Sequence, residues 1–141
     1  MVTGFVLDAS VIIRWALNDG SVTDGAYADK VLESLTSHFA VVPAIWSTEV
    51  VHVLRCAEQG GKLGEAAVTG FLYQLGQLPI KSDIAAPAGL HLAVAAVSRE
   101  FKLTGYDAQY LELALRLGLP LATLDKDVRK AAKKAGVPLY A

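Results

Sequence analysis

Short apolar runs alternate with helix-spaced segments along the whole of this chain, and that alternation restricts the fold more than any other feature. Phe5–Leu7, Phe39–Val42, Leu78–Ile80, Leu119–Leu124 and Val137–Tyr140 read as buried strands, the first beginning a residue or two earlier. Helical patterns run over Val11–Leu17, Ala26–Leu35, Trp46–Ala57, Glu65–Leu75, Pro87–Phe101, Tyr106–Leu117 and Lys126–Ala135. Gly60-Gly61, Gly118 and Gly136 close helices, and Pro43 stops the second strand. Ser10 is placed to cap the first helix, and Asn18–Gly25 has the composition of a turn. The pattern predicts a three-layer α/β/α sandwich around a central, mainly parallel sheet of about five strands, joined by right-handed crossovers. No linker, repeat or low-complexity segment interrupts residues 1–141, which read as one domain large enough for a core.

Composition narrows the setting. A hydrophobic fraction of 53% with 19% charged residues suits a sheet covered on both faces, a buried oligomer interface, or both. The net charge of −1 gives no global pull towards nucleic acid or membrane, so such a partner must meet a local patch. Cys56 is alone, which excludes a disulfide within the chain and fits a reducing, cytoplasmic setting. The N-terminus has no basic region and carries Asp8 and Arg14 inside its apolar run, which is unlike a signal peptide. Stretches free of charge are too short, or too broken by Pro and Gly, to span a bilayer, so no membrane partner is expected.

Four acids interrupt the apolar segments where strands end or helices begin. Asp8 follows the first strand, Asp125 follows the fourth, Asp107 opens a helix, and Glu49 lies in the first turns of another. In open α/β sheets the ligand site lies outside the carboxyl ends of the strands, so residues far apart in sequence meet there. Taken singly, Asp107 and Asp125 could each be a helix N-cap worth roughly 1 kcal/mol. As a set they are costly, because carboxylates about 4 Å apart repel by roughly 4 kcal/mol per pair at an effective dielectric near 20. Convergence on a hard divalent cation, Mg²⁺ or Mn²⁺, reverses that cost. Asp8 and Asp107 are the preferred direct ligands, with Asp125 direct or through water. Glu49 is a candidate for a second ion or for proton transfer.

Other residues have weaker claims. The hydroxyls of Ser10 and Thr123 are candidate donors to the carboxylates, and Asp127 either joins them or caps the last helix. Lys126, Arg129, Lys130, Lys133 and Lys134 crowd one helix, behind a stripe of Val128, Ala131, Ala132 and Ala135. They form either a solvated face suited to a helix C-terminus or a phosphate track beside Asp125. His38, His52 and His91 lack ligand spacing and read as structural or surface residues. Trp15, Trp46 and Tyr106 flank the acidic segments, where they pack the core or stack a base.

The acidic segments also carry a resemblance. Val6-Leu7-Asp8-Ala9-Ser10-Val11-Ile12, Pro43-Ala44-Ile45-Trp46-Ser47-Thr48-Glu49, Thr104-Gly105-Tyr106-Asp107-Ala108 and Leu121-Ala122-Thr123-Leu124-Asp125-Lys126-Asp127 resemble the motifs of PIN-domain nucleases. The closest subgroup is the VapC-type toxins of toxin–antitoxin pairs. The resemblance runs the length of the chain, in order, and includes Ala131–Val137 near its end. Each motif alone is weak; the ordered set of four is specific. It implies a PIN-like fold and a metal-dependent ribonuclease, inhibited by a small antitoxin, with Asp8, Glu49, Asp107 and Asp125 as its acidic site. Thr123 and Asp127 match positions of variable importance. With the apolar composition, the resemblance also suggests a homodimer.

Two other classes compete. A phosphatase or phosphotransferase on a similar sheet would want a second Asp two residues after Asp8, where this chain has Ser10. A non-catalytic metal- and RNA-binding module would use the same acids without cutting.

Overall fold

The computed structural model describes residues 3–141. In chain order the elements are β1 (Gly4–Leu7), α1 (Ala9–Ala16), α2 (Val22–Ser34), β2 (Phe39–Val42), α3 (Ile45–Gln59), α4 (Glu65–Leu75), β3 (Ile80–Ser82), α5 (Leu90–Phe101), α6 (Gly105–Leu117), β4 (Leu121–Ala122) and α7 (Lys126–Ala135). The four strands make one parallel sheet in the order β3-β2-β1-β4. None of the helices is long and apolar enough to cross a membrane among the described residues.

The pleat of β1 divides the core. Phe5 and Leu7 face a layer containing Val11 and Ile12 of α1, Val31 of α2, Val50 and Leu54 of α3 and Val68 of α4. Val6, between them, faces Leu111 and Ala114 of α6 and Val128 and Ala132 of α7. Burying each such Val, Leu or Ile contributes roughly 1.5–3 kcal/mol, and β1 draws on both layers. This is the three-layer α/β/α arrangement expected from the strand–helix alternation. Gly4 leaves room for Phe39 where β1 approaches β2, since a Cβ there would lie 2.6 Å from the ring and force it to shift.

Among the described residues the sheet has four strands, close to the expected number of about five. Leu139 forms only an isolated parallel bridge to Leu121. Leu121 N–H donates to Pro138 O at 3.0 Å and Tyr140 N–H to Leu121 O at 3.0 Å, but Pro138 has no N–H to lengthen the ladder. β4 stops at Ala122, short of the expected Leu124, because the next amides leave the ladder for side chains: Leu124 N–H donates to Ser10 Oγ and Asp125 N–H to Thr123 Oγ1. β3 begins at Ile80, where Leu78–Ile80 was expected, since Ile80, Lys81 and Ser82 are the residues in register with Ala40, Val41 and Val42. α2 starts at Val22, inside the expected turn, because Ser21 caps it by accepting from Asp24 N–H at 3.0 Å.

Candidate active site

Asp8 leaves the carboxyl end of β1 beside β4, held by its N–H donating to Ala122 O at 3.0 Å. It occupies the N-cap position of α1, yet its side chain makes no capping bond. Its Oδ2 instead accepts from Thr123 Oγ1 at 2.7 Å and from Ser10 Oγ at 2.9 Å. Ser10 is therefore not the expected helix cap. It lies inside the first turn of α1, and Thr123, the residue after β4, reaches the same oxygen. Because the two hydroxyls also accept the Leu124 and Asp125 amides, the loop after β4 is fastened to Asp8. Both hydroxyls thus donate to Asp8, which is only 4% exposed.

The other three acids reach this edge from three helices. Asp125 is the N-cap of α7, its Oδ1 accepting from Val128 N–H at 3.0 Å. Asp127 consequently does not cap α7; it is exposed in the first turn, beyond the cap. Asp107 is the third residue of α6, which Thr104 caps by accepting Asp107 N–H at 3.1 Å. The capping reading thus holds for Asp125 and fails for Asp107. Glu49 projects from α3 and accepts at Oε1 from the Tyr110 hydroxyl of α6 at 2.6 Å.

Electrostatics ties the acids together. Burial pushes the Asp8 carboxyl up to about 6, against the lowering effect of the Thr123 and Ser10 hydrogen bonds, and the charges of Glu49 and Asp125 add to the rise. Asp107 also rises to about 6, first through burial and then through the charges of Asp125 and Asp8. Glu49 is raised by burial, lowered by the Tyr110 hydrogen bond and raised again by Asp107. The four carboxylates therefore share one field. No Lys or Arg forms a salt bridge with any of them among the described residues. Buried acids elsewhere are treated differently: Arg116 bonds Glu112 at 2.9 Å and Asp83 at 2.7 Å.

An oxygen-only, uncompensated donor set is what a hard divalent ion prefers. No three His, Cys, Asp or Glu side chains among the described residues are gathered closely enough to hold an ion by themselves. Mg²⁺ commonly keeps several waters and takes one or two carboxylates plus substrate phosphates, so the acids fit an open site rather than a closed cage.

The surrounding residues separate clearly. Lys126, Lys130, Lys133 and Lys134 are exposed on α7, whose buried stripe is Val128, Ala131 and Ala132, with Ala135 half-buried. Arg129 differs from these lysines. It donates from Nε to Thr123 O at 2.7 Å and lies over the Tyr27 ring at 4.9 Å, so it braces the loop that carries the site. Trp15 donates to Ala28 O at 2.8 Å, and Trp46 packs between the two core layers. Tyr106, 61% exposed, is the aromatic of the three left free to meet a ligand. His52 and His91 are exposed and His38 is half-buried, edge-on to Tyr140.

Sequence reasoning passed over Tyr110 and the bracing role of Arg129. Tyr110 lies among Ala108, Leu111, Leu113 and Ala114 and reads there as one more core residue. The available signal was its position three residues after Asp107, on the same helical face.

No curated protein matches the chain in sequence. Among solved structures, the crystal structure of PAE2754 from Pyrobaculum aerophilum aligns with a TM-score of 0.68 at 24% identity, over 93% of this chain and 87% of that one. FitAcB from Neisseria gonorrhoeae aligns with a TM-score of 0.59 at 17% identity, over 97% and 96%. These are likenesses of fold. The profile of the PIN domain matches residues 5–134, nearly the whole chain, and the protein therefore belongs to the PIN domain family.

Proposed function

We propose that this chain is a metal-dependent endoribonuclease and the toxin of a VapC-type toxin–antitoxin pair, hydrolysing RNA phosphodiesters with Mg²⁺ or Mn²⁺. PIN domains are generally nucleases that use divalent ions. The observation that carries the reading is the shared field of Asp8, Glu49, Asp107 and Asp125, with no salt-bridged cation among the described residues. The ordered motifs around these acids support the VapC subgroup, RNA as substrate and an antitoxin as partner. The nuclease domain spans residues 1–141 and works in the cytoplasm, where Cys56 stays reduced.

In this reading Asp8 and Asp107 hold the ion directly and Asp125 holds it through water. When bound, the ion supplies positive charge at the phosphate oxygens and acidifies the attacking water. Ser10 and Thr123 keep one oxygen of Asp8 occupied, which fixes the direction of the other. Glu49 takes a proton from the attacking water or helps to hold a second ion. The experiment is direct: purified protein is incubated with RNA and Mn²⁺, with and without excess chelator. Cleavage only in the unchelated reaction supports the reading, while intact RNA in both, or cutting in both, overturns it.

We assign RNA tracking to the exposed lysines of α7. Lys130 and Lys133 line a hollow of about 570 Å³ together with Gly136–Leu139. Lys130→Ala and Lys133→Ala are expected to weaken RNA binding and to flatten its salt dependence by about 0.7 in log–log slope per lost phosphate contact. Binding measured across a salt series checks this; an unchanged slope in both variants would mean that RNA enters elsewhere.

For partners we propose a homodimer and an apolar antitoxin helix. α5 has no fully buried residue. Ile84 ahead of it and Leu92 on it are 97% and 69% exposed, and α5 and the start of α6, packed together, line a hollow of about 520 Å³. That surface suits a second copy of the chain. A smaller hollow of about 220 Å³ between α3 and α4, lined by Trp46, Val51, Leu72 and Ile80, suits a helix laid in a groove. The protein is expected to sediment as a dimer at high micromolar concentration, and a monomer there would remove the first partner.

A further inference from the structure

Tyr110 is fully buried, yet the acceptor of its hydroxyl is a half-exposed carboxylate in the acidic centre. A buried hydroxyl must be paired, and a backbone carbonyl is the commonest way to do it. Here the bond runs instead from α6 to Glu49 of α3, at 2.6 Å, the short length of a charge-assisted O–H···O⁻ bond. α3 packs in the layer of Phe5 and Leu7, and α6 in the layer of Val6. The bond therefore crosses between the layers. Of the other buried positions of α6, Ala108, Leu111, Leu113 and Ala114 carry no polar side-chain atom, and Glu112 is paired with Arg116 of its own helix. A phenylalanine at position 110 would serve the core equally well and leave Glu49 without a donor. Three residues before Tyr110, on the same face, stands Asp107. One helix face thus supplies one acid of the centre and holds a second.

We propose that Tyr110 is a positioning residue for the nuclease reaction: its hydroxyl pins one oxygen of Glu49 so that the other stays turned to the acidic centre. Burial, the hydrogen bond to Glu49 and the charges of Asp8 and Glu49 all favour the protonated phenol, so it remains a donor. The hydroxyl does no chemistry itself. Without it, Glu49 becomes a mobile chain at the end of three rotatable bonds, and the ion or water that it helps to hold loses a fixed partner.

The inference rests on the nuclease reading above, and the experiment keeps the two apart. Tyr110→Phe retains the buried ring and removes the donor. Glu49→Asp retains the charge but draws it back one methylene from the hydroxyl, without touching the core. Both variants are expected to weaken Mn²⁺ binding, read by calorimetry on the metal alone, by about tenfold, within the usual range for the partners of metal ligands. At saturating Mn²⁺ both should lower kcat by roughly 10- to 100-fold while leaving KM for RNA within about twofold. In the doubly substituted protein the losses should not multiply, because the two changes break one contact. Wild-type Mn²⁺ affinity and kcat in Tyr110→Phe would overturn the proposal and leave the nuclease reading standing, as would fully multiplicative losses in the double variant. If Tyr110→Phe does not fold, Glu49→Asp decides alone, and a wild-type kcat there overturns the proposal. Wild-type protein that neither binds Mn²⁺ nor cuts RNA would overturn both.

Discussion

Asp8→Asn is expected to lower RNA cleavage by about 10³-fold or more while making the metal-free protein more stable at neutral pH. The loss follows from removing a direct ion ligand, since metal charge supplies several kcal/mol of transition-state stabilisation and about 4 kcal/mol corresponds to three decades in rate. The gain follows from burial. The Asp8 carboxyl titrates at about 6 in the folded protein against 3.8 for the free side chain. A raised folded pKa means that the folded state binds the proton more tightly. The associated stability is fully present below pH 3.8 and is lost as pH rises through about 6. Above that the buried charge costs roughly 3 kcal/mol, at about 1.4 kcal/mol per unit. Asparagine carries no such charge and can still accept from Thr123 and Ser10. Urea unfolding in chelator should therefore show Asp8→Asn ahead of wild type at about pH 7.5 and level with it near pH 4. Wild-type cleavage by this variant would remove Asp8 from the site, and an equal loss of stability at both pH values would mean that it acts only in packing.

The second large effect couples pH to metal. Asp8 and Asp107 both titrate at about 6, so the unmetallated centre is neutralised in acid and strained in base. Metal-free protein should lose stability as pH rises from about 4.5 to about 7.5. Mn²⁺ must displace those protons to bind. At a concentration one hundred times its Kd it should add about 2.7 kcal/mol at the upper pH, and close to nothing at the lower. Chelated and Mn²⁺-loaded unfolding curves should accordingly converge in acid and separate in base. Curves separated equally across the range would place the ion away from these carboxylates. Coincident curves at every pH would dispose of the metal site altogether.

What the sequence disclosed depended on whether the deciding contact was local. α4 and α7 fall at Glu65–Leu75 and Lys126–Ala135 as their patterns predicted, because periodicity and end signals lie within each segment. The start of α2 was hidden, since Ser21 sits in a polar stretch with turn composition and only the folded Asp24 amide makes it a cap. The register of β3 is set by its partner, Ala40 against Ile80, which no local pattern contains. The acids were legible because a carboxylate in apolar sequence is conspicuous. Ser10 was legible as a hydroxyl of interest, but its helix position misled, and only the approach of Thr123 shows where it points. Tyr110 and Arg129 were not legible as supports, because an aromatic on an apolar face and a cation among lysines look ordinary until the group across from each is known.

The order of the acids along the chain has a consequence for synthesis. Asp8 and Glu49 belong to the first elements to leave a ribosome, while Asp107, Tyr110, Thr123 and Asp125 come from the last third of the sequence. β4 completes the sheet beside β1, the strand that ends at Asp8. A nascent chain stalled before α6 can pack Phe5 and Leu7 but has neither hydroxyl from Thr123 nor anchor for Glu49. The acidic centre is thus assembled by the closing elements of the fold, and an unfinished chain, still tethered amid the translation machinery's own RNA, holds only half of it.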